Sequence, residues 1–191
     1  MQITLIRHGK TAGNLERRYT GVTDVPLCPE GRAEAERARK DETLKAVYVS
    51  PLKRARETAA ILFPNAEQIV VGNLHEMDFG DFEGRTADEM ADDPAYRKWV
   101  DDFCEGACPN GESQEGFFRR VTEAFGETLA SLDSDALFVV HGGVIMAIMT
   151  AFAEPKKGFY EWEAPNLGGF SAEAHRSGTG IVLSNVQSVQ Y

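Results

Sequence analysis

Ile3-Thr4-Leu5-Ile6-Arg7-His8-Gly9 is a short, mostly apolar run that ends on two polar side chains and a glycine. A run of this length and composition, closed by a turn residue, reads as a buried strand. Two later stretches repeat the layout. Ala46 to Val49 stops at Ser50-Pro51, and Ala136 to Val140 stops at His141-Gly142-Gly143. Segments with helical composition or spacing lie between and after these runs. Strands alternating with helices predict an α/β protein with a mainly parallel sheet.

The rest of the chain fills in around these three runs. Leu27 to about Lys40 follows a turn and is rich in Ala, Glu and Arg, which are good helix formers. Ser50 suits an N-cap and Pro51 a first helical position, so a helix is expected to start there. Leu52, Ala55, Ala59 and Leu62 supply its apolar face. Gln68 to Val71 reads as a further strand. Thr86 to about Phe103 reads as one or two short surface helices and a loop, interrupted by Asp92-Asp93-Pro94. Pro109-Asn110-Gly111 marks a turn. Phe117, Val121, Ala124, Phe125, Thr128 and Leu132 recur at helical spacing and predict a long amphipathic helix. An apolar helix follows from Val144 to Phe152. Gly169 to His175 and Ile181 to Val186 read as two strands around a turn at Ser177-Gly178, which makes them antiparallel.

Bulk properties narrow the function classes. The 191 residues fit a single domain spanning 1–191. The net charge of -10, with no basic stripe, argues against nucleic acid and anionic membranes as partners. An anionic small molecule stays compatible, because a few arginines set the field inside a pocket. The longest apolar stretch, Val144 to Ala153, is far short of the roughly 20 residues of a membrane span. No secretory signal pattern opens the sequence, so a cytoplasmic protein is expected. Cys28, Cys104 and Cys108 are an odd set for a disulfide framework. Cys104 and Cys108 alone make a poor zinc site, so free cysteines and no metal are expected. Whether the chain pairs as a homodimer is open.

The polar residues behind the three strands suit a phosphate. In an open α/β sheet, ligands bind beyond the carboxyl ends of the strands. Arg7 and Arg54 carry planar donor forks that match phosphate oxygens. A neutral imidazole can act as a nucleophile. A helix starting after Gly143 points free N–H groups at the same place. Any one of these residues has an ordinary reading as well, Arg54 as a solvated helix residue for example.

Taken together they resemble the histidine phosphatase (phosphoglycerate mutase-like) superfamily over most of the chain. Its opening motif is matched by Arg7-His8-Gly9-Lys10-Thr11-Ala12-Gly13-Asn14, with Lys10 where many relatives carry Glu or Gln. The resemblance implies that His8 is the nucleophile and that Arg7 and Asn14 bind phosphate. Tyr19-Thr20-Gly21 through Leu27 resembles the substrate-side loop, which brings Thr20 and Gly21 to the substrate. Ser50-Pro51-Leu52-Lys53-Arg54 through Ala59 resembles the second-arginine motif and marks Arg54. Val140-His141-Gly142-Gly143 resembles the second-histidine motif, with His141 and Gly142 at the phosphoryl group. Leu74 through Gly84 resembles the acidic segment, in which Glu76 is the acid and Asp78, Asp81 and Glu83 are alternatives. These three carboxylates are expected to help raise the pKa of Glu76.

The fold implied is a three-layer α/β/α sandwich, its sheet mainly parallel with an antiparallel edge strand. The implied activity is metal- and cofactor-free hydrolysis of a small phosphate ester through phosphohistidine. The nearest subgroup resemblance is to α-ribazole phosphatases. A phosphoglycerate mutase and a catalytically silent phosphate-binding module are the rival readings. His75 and His175 read as structural or surface residues, while Tyr96, Trp99 and Phe103 fit either a core or a pocket.

Overall fold

The computed structural model describes residues 1–177 and 180–191. Six strands form one sheet: β1 (Gln2–Arg7), β2 (Ala46–Val49), β3 (Glu67–Val70), β4 (Ala136–Val140), β5 (Gly168–Ser177) and β6 (Gly180–Gln190). Their order is β3-β2-β4-β1-β5-β6. The first four run parallel. β5 is antiparallel to β1, and β6 to β5, so the antiparallel part is two strands wide. Of the turn expected at Ser177-Gly178, Ser177 ends β5 and Gly178 lies outside the described residues.

The helices are α1 (Ala12–Glu16), α2 (Pro29–Arg37), α3 (Lys53–Leu62), α4 (Pro94–Asp101), α5 (Gln114–Ala130) and α6 (Gly142–Phe152). Side chains of a strand alternate between the two faces of its sheet. Ile3, Leu5, Phe138 and Val140 therefore join one core with residues of α5 and α6, including Phe125 and Ile148. Ile6, Leu137, Val139 and Val49 join the other with Ala55, Ala59 and Leu62 of α3. Both faces of the central strands are covered, which is why these strands read as continuous apolar runs. Fully burying a side chain such as Phe138 contributes about 1.5–3 kcal/mol.

The register of the sheet builds the site. Arg7 pairs with Val140, and Val49 with Val139. The residues that follow β1, β2 and β4 therefore emerge side by side.

Several helix starts differ from expectation. α2 begins at Pro29, with Cys28 as its cap, because a proline fits where no helical N–H is needed. α3 begins at Lys53 rather than at Pro51, and Leu52 occupies its cap position without a side-chain bond. Asp93 and Pro94 do not interrupt a helix. They start α4, with the Asp93 carboxylate accepting from the Ala95 N–H. That helix is no pure surface element either, since Tyr96 and Trp99 are buried while Phe103 is 81% exposed.

Candidate functional site

β1 delivers Arg7 and His8, and their neighbours fix both side chains. The His8 backbone N–H donates to the Val140 carbonyl at 3.0 Å, which ties the nucleophile candidate to the end of β4. The His8 ring is buried, and its Nδ1 lies 2.7 Å from the Gly9 carbonyl oxygen. A carbonyl only accepts, so Nδ1 carries the proton and Nε2 is left with a bare lone pair. Arg54 Nε donates to that Nε2 at 3.2 Å. Burial first, and then the Arg54 and Arg7 charges, push His8 well below the ordinary imidazole pKa. The ring is held neutral with Nε2 facing the arginine, the state a nucleophile requires.

Arg54 is fully buried, which rules out the solvated-helix reading. Its two outer nitrogens donate to backbone carbonyls of the loop between α1 and α2. Nη1 reaches Thr23, and Nη2 reaches Gly21 and, more distantly, Thr20. Thr20 and Gly21 are thus placed at the site, where their carbonyls hold the guanidinium. Arg7 donates from Nη1 to the Ala164 carbonyl at 2.7 Å, while its buried Nε has no partner among the described residues. Gly142 lies against this side chain: a Cβ there would sit 3.4 Å from Arg7 Cζ.

His141 follows β4 and stands at the cap position of α6 without a side-chain capping bond. It is fully buried, and its ring meets His8 edge to face with centroids 5.1 Å apart. Its Nε2 lies 2.6 Å from Ser50 Oγ, whereas Nδ1 has no partner among the described residues. Burial, followed by the Arg54 charge, pushes His141 well below the ordinary imidazole pKa.

Glu76 is buried beside the first turn of α6. Its Oε1 accepts from the Met77 N–H at 3.0 Å and its Oε2 from the Gly143 N–H at 2.9 Å. Burial raises its pKa, against the opposing pull of those two hydrogen bonds and of Arg54 and Arg7. Neighbouring carboxylates are not the cause, which corrects the role expected for Asp78, Asp81 and Glu83. These three are structural. Asp78 accepts from the Gly80 N–H, and Asp81 from the Asn110 amide. Glu83 closes the 21–23 loop by accepting from the backbone of Gly21, Val22 and Thr23 and from the Thr23 hydroxyl.

Asn14 is engaged locally. Its Oδ1 accepts from the Thr11 N–H and hydroxyl in a capping box that starts α1. Among the described hydrogen bonds, none joins it to His8 or Arg54.

Three supporting residues escaped the sequence reading, and a fourth, Ser50, has a role there as a strand-end residue and helix cap but not as a partner of His141. The Thr58 hydroxyl accepts from the Gly9 N–H and donates to the Arg54 carbonyl. Asn166 donates to the His8 carbonyl at 2.9 Å from 158 residues away. Arg120 donates to the carbonyls of Asn73, His75 and Glu76, which anchors the loop that carries Glu76. Ser50 holds His141. The Thr58 spacing of four from Arg54 was the one visible signal, since a helical hydroxyl reaches the carbonyl one turn back.

Glu76 and Gly143 open onto a pocket of about 250 Å³. Tyr19, Phe79, Trp99, Phe117, Phe159 and Tyr160 give it an aromatic wall. Among the described residues lining it there is no Lys or Arg. Arg85 and Lys98 instead pair with Asp93 and Asp102. Cys104 also borders the pocket, but all three cysteines are free, and burial pushes the Cys108 thiol up to about 12. His75 bonds the backbone at Glu76, and His175 bonds Ser184 on the sheet surface. No helix among the described residues is long and apolar enough to cross a membrane.

Comparison with known proteins agrees with this geometry. The pattern of the histidine phosphatase superfamily (branch 1) matches residues 3–187. An adenosylcobalamin/α-ribazole phosphatase of Salmonella typhimurium is 31% identical over 157 residues, 78% of each chain. A phosphoglycerate mutase-like protein of Arabidopsis thaliana is 33% identical over 158 residues, covering 77% of this chain and 69% of its own. The crystal structure of the α-ribazole phosphatase from Shigella flexneri superposes with a TM-score of 0.80 at 25% identity, covering 96% of this chain and 94% of that one.

Proposed function

The chain belongs to the histidine phosphatase superfamily, and from that premise we propose that it hydrolyses a small phosphate monoester with an aromatic or apolar leaving group, through a phosphohistidine on His8 and without a metal. The observation that carries this reading is a buried His8 whose Nδ1 donates to the Gly9 carbonyl and whose Nε2 faces Arg54, the guanidinium whose charge also acts on the buried Glu76 at the wall of an aromatic pocket.

The chemistry follows from the positions. The ester phosphate lies between Arg7, Arg54 and His141, where the unpartnered Arg7 Nε and His141 Nδ1 find acceptors. His8 Nε2 attacks phosphorus and the bond to the ester oxygen breaks. Protonated Glu76 gives its proton to that oxygen, and the alcohol leaves through the aromatic pocket. Glu76, now a carboxylate, takes a proton from water as the water attacks phosphohistidine. Inorganic phosphate departs, and both His8 and Glu76 return to their starting states. Most of the acceleration comes from positioning and charge stabilisation.

The pocket favours phosphatase over mutase. A substrate such as 3-phosphoglycerate brings a second anion, and a site for it needs a cation within reach. This wall offers aromatic faces, and its charged member is the carboxylate Glu76. α-Ribazole 5′-phosphate, with a flat heterocycle on its leaving group, suits such a wall. The catalytically silent reading is disfavoured, because both histidines, both arginines and the acid stand together.

The test is phosphate release from α-ribazole 5′-phosphate and from 3-phosphoglycerate in EDTA, beside a His8→Ala control. Release from the first, absent in the control, supports the proposal. Turnover of 3-phosphoglycerate dependent on a bisphosphoglycerate primer supports the mutase. Activity lost in EDTA and restored by a divalent cation rejects the metal-free route.

A further inference from the structure

We infer that Ser50 is a positioning residue for His141: its hydroxyl donates to Nε2 and so holds the ring in the tautomer that carries its proton on Nδ1, the nitrogen left to donate to a phosphoryl oxygen. The part concerning phosphate rests on the proposed function. The tautomer does not.

The argument is a count of donors and acceptors in a buried place. Ser50 and His141 are both fully buried, so the Ser50 hydroxyl has to be paired within the protein. Ser50 is fixed by its backbone, whose N–H donates to the Val139 carbonyl at 3.1 Å, two residues before His141. The Leu52 N–H donates to Ser50 Oγ at 3.3 Å, so the oxygen already accepts one bond. The hydroxyl proton then needs an acceptor, and the one within reach among the described residues is His141 Nε2 at 2.6 Å. A ring nitrogen that accepts is unprotonated, and in neutral imidazole the proton then sits on the other nitrogen.

That other nitrogen, Nδ1, has no partner among the described residues. The reverse tautomer fits worse. With the proton on Nε2, the Ser50 hydroxyl proton is left buried without an acceptor, and Nδ1 turns a lone pair toward any phosphate oxygen. Such second contacts set which ring nitrogen carries the proton. Ser50 therefore acts through His141 and touches no substrate.

The experiment reads the tautomer directly. Protein carrying ¹⁵N-histidine is studied without ligand by two-bond ¹H–¹⁵N correlation, with the His141 signals assigned by loss in His141→Gln. The expected result is a protonated Nδ1 and a bare Nε2 on His141, shifting toward a protonated Nε2 in Ser50→Ala. In the same variant, kcat falls about 10- to 100-fold, on the scale set by loss of the outer hydrogen-bond partner of a metal-bound histidine, while KM changes little. Ser50→Thr, which keeps the hydroxyl, restores both signals. A wild-type His141 protonated on Nε2 overturns the inference, and so does a Ser50→Ala spectrum with an unchanged tautomer. If the wild-type tautomer is as stated but no ester is turned over, the proposed function fails and the Ser50 assignment stands.

Discussion

The backbone N–H of Gly143 donates to Oε2 of Glu76 at 2.9 Å, which holds a buried carboxyl against the first turn of α6. This contact sets the position of the carboxyl, and burial sets the direction of its pKa shift. A helix start with a hydrogen bond to spare usually lowers a carboxyl pKa. Here loss of water outweighs the two backbone bonds, and the net direction is upward. A glutamate that holds its proton toward neutral pH can serve as a general acid.

The first prediction concerns pH. The leaving alkoxide needs the protonated form of Glu76, so kcat/KM should be flat at low pH and fall as pH rises through the raised Glu76 pKa. His8 is pushed well below the ordinary imidazole pKa. No loss of activity should therefore appear as pH falls through that ordinary value. Glu76→Gln should lower kcat on an alkyl phosphate by about 10²–10⁴-fold and remove the alkaline fall. An aryl phosphate, whose oxygen leaves without help, should lose much less. An unchanged pH–rate profile in the variant argues against Glu76 as the acid.

The same shift has a stability consequence. A carboxyl whose pKa is raised in the folded state stabilises the fold fully below its unfolded pKa, and this contribution is lost as pH rises through the folded value. Thermal melts of the wild type should show that decline above the ordinary carboxyl range. Glu76→Gln should show a smaller one. Equal slopes across the window would count against a buried, proton-holding Glu76.

Gly143→Ala tests the contact itself. A Cβ at this position clashes with Glu76 Oε1 and would sit 3.1 Å from its Cδ. The acid must move by a fraction of an ångström or more. Misplacement on this scale costs about 10²-fold in kcat, with KM for the ester little changed. Steady-state kinetics check it, and a variant with wild-type kcat would show that the position of Glu76 is not critical.

Thr58→Val tests the scaffold beneath the nucleophile. The hydroxyl it removes is the acceptor for the buried Gly9 N–H. A buried donor left without a partner costs about 1–3 kcal/mol. Chemical denaturation should show that loss, and Thr58→Ser should recover most of it. Unchanged stability in the valine variant would mean that the Gly9 N–H finds another acceptor.

Tyr160→Ala tests the pocket. This side chain is 65% exposed at the pocket's edge, so its removal spares the core. Loss of one aromatic contact, about 0.5–1.5 kcal/mol, should lower kcat/KM for an aromatic leaving group about 2- to 12-fold. A short alkyl phosphate should be unaffected. An equal loss on both esters would place Tyr160 outside leaving-group recognition.

The layout of the sheet and the position of its site were legible because each central strand is buried on both faces and ends abruptly. Arg7-His8, Ser50 and His141-Gly142 stand where those runs stop, and parallel pairing brings the ends together. Contacts between distant residues were not legible. Ser50-Pro51 matches a helix start by local chemistry, yet the serine hydroxyl is taken by His141, 91 residues away. Glu83 looks like a partner for the acid, but its carboxylate is used by the backbone of the 21–23 loop. The supports for Arg7 and His8 at Ala164 and Asn166 lie more than 150 residues downstream. Carbonyls and amides at that range leave no local pattern. Asp93 and Pro94 were read as a break because a proline stops a helix it enters, although the same pair starts one.

The central claim is that the phosphoryl group passes through His8. The most direct measurement is rapid quenching of the enzyme with ³²P-labelled ester, followed by peptide mapping of the protein-bound label. The account predicts a transient label, stable to alkali and labile to acid, on the peptide bearing His8 and absent from His8→Ala. Full turnover by His8→Ala, or a label on any other residue, would contradict it.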